Sequence, residues 1–66
     1  MTGDLDVMRA ANVVLQQYGD DADYHAAGRA DALLLEGDVE GSLVWMRVLR
    51  AIKTFRASRQ PGHLEN

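Results

Sequence analysis

Residues 35–38 read Leu35-Glu36-Gly37-Asp38, and these four positions decide the fold. A glycine takes the left-handed backbone that ends a helix at little cost, and an aspartate after it accepts the orphan N–H groups of a new one. Stop and start fall within four residues, so the flanking helices form an antiparallel hairpin. On the upstream side, Ala22, Ala26, Ala27, Ala30, Leu33 and Leu34 supply the apolar face. Most are small, and with Gly28 they admit a close neighbour. This predicts a helix over 21–35, with Asp20 as its cap and Asp21 and Asp23 in the first turn, where the helix dipole favours anions.

Downstream, the pattern predicts a helix over 39–59, ended by Gln60-Pro61-Gly62. Gly41, Val44, Trp45, Val48, Ile52 and Phe55 follow the three-and-four spacing of a core face, with Trp45 as its expected anchor. Val39, Leu43 and Met46 lie on the other side, so the first half of this helix is apolar nearly all round. Such a helix sits between two neighbours. Its length, roughly 30 Å against about 20 Å for the others, leaves about two turns projecting past the hairpin. Phe55 then needs cover from the first helix or from a second chain.

Further upstream, Val7, Met8, Ala11, Val14, Leu15 and Tyr18 share one face and Arg9, Asn12, Gln16 and Gln17 the other. This predicts a helix over 5–18, capped by Asp4 and ended by Gly19. Tyr18 and Tyr24 bracket the turn and are placed to pack on one another. The fold class is therefore all-α, a small three-helix domain over 1–60 with an antiparallel hairpin and a longer third helix, followed by a flexible tail at 61–66.

Composition removes most function classes. With 66 residues and no cysteine, the chain has no disulfide or thiolate metal site to reinforce a small core. No apolar run approaches the ~18 residues that cross a bilayer, and the opening Met1-Thr2-Gly3-Asp4 lacks the basic start of a signal peptide, so a cytoplasmic location without a membrane partner is expected. Asp20, Asp21, Asp23, His25 and Asp31 are close in sequence, but they lack the glycine and closing glutamate of a calcium loop, and His25 is read as solvent-facing. Ser42, Ser58, His25 and His63 form no nucleophile–base pattern. No enzyme activity, metal, cofactor or small-molecule substrate is expected.

Charge is divided. Residues 1–41 hold nine acids and two bases and residues 42–66 five bases and one acid, so the net −3 splits into −7 and +4. Arg47, Arg50, Lys53, Arg56 and Arg59 spiral around the third helix rather than forming a straight stripe, because each step of three falls short of a turn. The expected function is a non-enzymatic protein–protein interaction or regulatory module, a homodimer or the partner of another protein. Its contact residues are Leu43, Met46, Leu49 and Phe55, flanked by Arg50 and Lys53, with Asp4 and Asp6 of a second copy facing those bases. The competing reading is a nucleic-acid-binding regulator that uses the basic face of the third helix, against which stands the acidic first half.

Two resemblances bear on the hairpin. Residues 30–41, from Ala30 through Gly37-Asp38 to Gly41, followed by Val44-Trp45-Met46-Arg47-Val48 and Ala51-Ile52, resemble a family of short uncharacterised proteobacterial helical proteins. Their pattern is an alanine-rich helix, a Gly-Asp turn, a glycine one turn later, then Trp-x-Arg-Ile/Val and Ala-Ile. The resemblance spans about residues 26–55 and implies the helical fold and a bacterial origin, with no activity. The same hairpin is more distantly similar to a single tetratricopeptide repeat, with Ser42 as the small residue after the turn, but Leu49 and Ala30 depart from that motif.

Overall fold

In a computed structural model describing residues 3–58, the turn at Gly37 is built as its residues dictate. Gly37 has φ +88°. Its N–H donates to the Leu34 carbonyl at 3.0 Å and that of Asp38 to the Leu33 carbonyl at 2.9 Å, so two helix-end carbonyls are satisfied by the turn itself. Asp38 then caps the next helix, its Oδ1 accepting from the Gly41 N–H at 2.9 Å. The second glycine has a steric reason: a Cβ on Gly41 would stand 2.5 Å from Asp38 Oδ2 and 2.9 Å from its Cγ.

The described residues are helical throughout apart from Gly3 and this turn. Segments α1 (Asp4–Tyr18), α2 (Ala22–Leu35) and α3 (Val39–Ser58) fall within a residue or two of the expected bounds. The α1–α2 junction differs from expectation. In place of a stop and a fresh cap at Asp20, one 3-10 turn at Gly19–Asp21 joins the helices without a break, so the helical residues form two runs, 4–35 and 39–58, the first doubling back at Gly19. Gly19 bends it with φ +54°, and the Ala22 N–H bonds the Gly19 carbonyl. Neither Asp20 nor Asp21 makes a side-chain cap. Asp4 does not cap α1 either; it is the first helical residue, and Gly3 is the uncapped boundary. The expected tail at 61–66, the stop at Gln60-Pro61-Gly62 and residue Arg59 lie outside the described residues.

α2 packs closely along α3 because Ala22, Ala26 and Ala30, one turn apart, are buried, as is Ser42 opposite them in the hairpin. α1 lies beside the second half of α3 and runs the same way. Asp4 and Met8 share a groove with Arg47, Arg50 and Thr54, Met8 and Asn12 share the next with Phe55, and the far end of α1 meets Arg56. The first helix has thus slid along to cover the projecting turns, and Phe55 is half-buried against the core.

The resulting core is small. Its buried apolar residues are four alanines, three valines and Ile52. Ile52 and Val48 are its largest fully buried side chains, whereas Trp45, the expected anchor, is half-buried at its margin. Trp45 is too wide for the narrow seam that the alanines of α2 permit, so the ring spreads over the edge.

Candidate functional site

The face of α3 turned away from the core carries the candidate site. At ~100° per residue Val39, Leu43 and Met46 fall within about 60° of one another, and Leu43 is diametrically opposite Ile52. These three residues are 54, 55 and 54% exposed. α1 does not reach them, because it begins beside Arg47 and Arg50. At the adjacent end of the hairpin Leu34 is exposed and Leu35 is 89% exposed. The surface at the turn therefore displays larger apolar side chains than the core contains, the reverse of the usual partition in a soluble monomer.

The expected contact residues divide into two groups. Leu43, Met46, Arg50 and Lys53 are exposed, while Leu49 and Phe55 are half-buried and lean on the core. Arg50 continues the Val39–Leu43–Met46 stripe by one turn. Asp4, expected to meet the bases of a second copy, lines a groove with Arg47 and Arg50 of its own chain.

Among the bases, Arg56 stands apart. Its Nη2 donates to the Gly19 carbonyl at 2.6 Å, Nε lies 2.9 Å from Asp23 Oδ1, and Nη1 lies 3.8 Å from Asp20 Oδ1. The Nε–H is not aimed at Oδ1, so the Asp23 contact is Coulombic rather than an aligned hydrogen bond. One guanidinium thereby ties the end of α3 to the α1–α2 bend, and Arg47, Arg50 and Lys53 remain as its exposed bases among the described residues.

An aromatic cluster escaped the sequence reading. His25, expected to face solvent, is half-buried, stacked on Tyr18 at 4.0 Å between centroids and 5.7 Å edge-on from Trp45. Arg29 sits 5.7 Å from the Trp45 ring centroid. Tyr18 therefore does not pair with Tyr24, which is 83% exposed. The bend at Gly19 lays the end of α1 over the first turns of α2, a non-local event; the signal in the sequence is the seven-residue spacing of Tyr18 and His25 across a glycine.

Among the described residues no three His, Cys, Asp or Glu side chains come together as a metal site, and no helix is long and apolar enough to cross a membrane. No family model matches the chain, and neither a curated protein nor a solved structure matches it.

Proposed function

We propose that the chain is a small non-enzymatic interaction module of the bacterial cytoplasm that self-associates through the outer face of α3. The observation that carries this reading is the apolar stripe Val39–Leu43–Met46, more than half exposed and opposite a core whose largest member is Ile52. In the proposed arrangement the three helical segments divide the work. α1 braces the second half of α3, the alanine face of α2 packs along it, and the outer side of the first half is left for a partner. The resemblance to short proteobacterial proteins supports the cellular setting.

Linkage gives a direct test. A chain stabilised by pairing melts at higher temperature as its concentration rises. Melts followed by helical circular dichroism over about three decades of concentration are expected to show that rise for the wild type. Met46→Glu, which places a charge on an exposed position, is expected to remove the concentration dependence while keeping the helical signal. A wild-type melting temperature that stays constant over that range overturns self-association.

A further inference from the structure

A pair formed through this face has a direction, and the charges beside the stripe set it. Glu40 and Arg47 lie on the same flank of α3, about 20° apart when viewed along its axis, while Lys53 lies on the other flank. Acids stand near the turn, at Glu36 and Glu40, and bases follow further along, at Arg47, Arg50 and Lys53. All five side chains are exposed, and the ion pairs among the described residues belong to Arg56 alone.

We infer that the occupant of this face is a second copy of the chain lying antiparallel, with Leu43 of one copy against Met46 of the other. This rests on the self-association reading above. A two-fold axis across the paired helices reverses direction but keeps each flank facing its own counterpart. The Leu43–Met46 offset then sets Val39 against Arg50 of the second copy. Glu40 and the second copy's Arg47 fall within two residues along the axis, about 3 Å, which an arginine side chain spans. The Glu40–Arg47 contact occurs twice and joins opposite charges. In a parallel pair the two-fold axis runs along the helices and turns each flank onto the opposite flank of the second copy, so Glu40 and Arg47 do not meet.

Charge reversal tests the register. In the antiparallel pair Glu40→Arg and Arg47→Glu each create two like-charge contacts, so each alone is expected to weaken the dimer about tenfold, and the double variant to restore it. Sedimentation equilibrium reads all three, with circular dichroism confirming that each remains helical. Single variants that associate as tightly as the wild type overturn the register, because a parallel pair is unchanged by either reversal. Such a result leaves self-association standing, as long as Met46→Glu still dissociates the chain. A wild type that is monomeric and retards a DNA duplex in a salt-sensitive way, lost in Arg47→Glu, overturns both and assigns the face to nucleic acid.

Discussion

Two aliphatic residues on opposite sides of α3 offer the sharpest test of how the helix is oriented. Ile52 is 0% exposed and Leu43 is 55% exposed, and truncation to alanine removes the same three carbons from each. At Ile52 the loss is transfer free energy plus a cavity, about 2–5 kcal/mol. A core of this size rarely supplies more than about 3–5 kcal/mol in total, so Ile52→Ala is expected to leave the isolated chain largely unfolded. Ile52→Val is the measurable version, at about 0.5–1.5 kcal/mol. For a 60–100-residue domain each kcal/mol lowers the melting temperature by about 4–8 °C. At Leu43 less than half of the residue is covered by its own chain, and alanine is a slightly better helix former than leucine, so Leu43→Ala is expected to cost less than about 1 kcal/mol under dilute conditions. At high concentration its cost grows, because the wild type gains from pairing and the variant gains less. Urea titrations at two protein concentrations, read by helical circular dichroism, measure all of these. The reasoning is refuted if Leu43→Ala in dilute solution costs about 2 kcal/mol or more, the cost of truncating a buried leucine, since Leu43 would then be a core residue.

Other expectations concern the joints. Asp38→Ala removes the cap on the Gly41 N–H and is expected to cost about 1 kcal/mol, with Asp38→Asn retaining most of it, by thermal melting. Gly41→Ala gains helix propensity but crowds that cap, so it is expected to be near neutral in the wild type and stabilising by about 0.5–1 kcal/mol in an Asp38→Ala background; equal effects in both backgrounds contradict the steric role. Gly37→Ala places a side chain at φ +88° and is expected to cost about 1–2 kcal/mol. Arg56→Met frees the α1–α2 bend from α3. It is expected to cost about 1 kcal/mol, less in high salt, and to speed hydrogen exchange at residues 19–23 ahead of the rest of the chain.

What the sequence reveals and what it conceals divide along the range of the forces involved. The Gly37–Asp38 turn is legible because a helix stop and a cap are local chemistry, and Gly41 belongs to the same local unit. The outer stripe is legible too, because helical period alone places Leu43 opposite Ile52. The α1–α2 junction misleads, since Asp20 looks like a cap, yet the chain closes on a backbone bond to the Gly19 carbonyl and leaves the Asp20 carboxylate near Arg56. Trp45 shows that period gives direction but not depth. Its stripe does face the core, but the closeness set by Ala22, Ala26 and Ala30 decides which side chains fit, and Val48 and Ile52 fit better than an indole. His25 is hidden by Tyr18, a contact that depends on how far the chain turns at Gly19, which residue type alone does not state.

The most direct measurement is the mass of the intact chain in solution. Sedimentation equilibrium over a range of protein concentrations is expected to give a mass that rises to twice the 7.3 kDa of one chain and stops there, as a closed two-fold pair requires. A mass that stays at 7.3 kDa to the highest concentration contradicts the account, because Val39, Leu43 and Met46 would then face water in the working molecule.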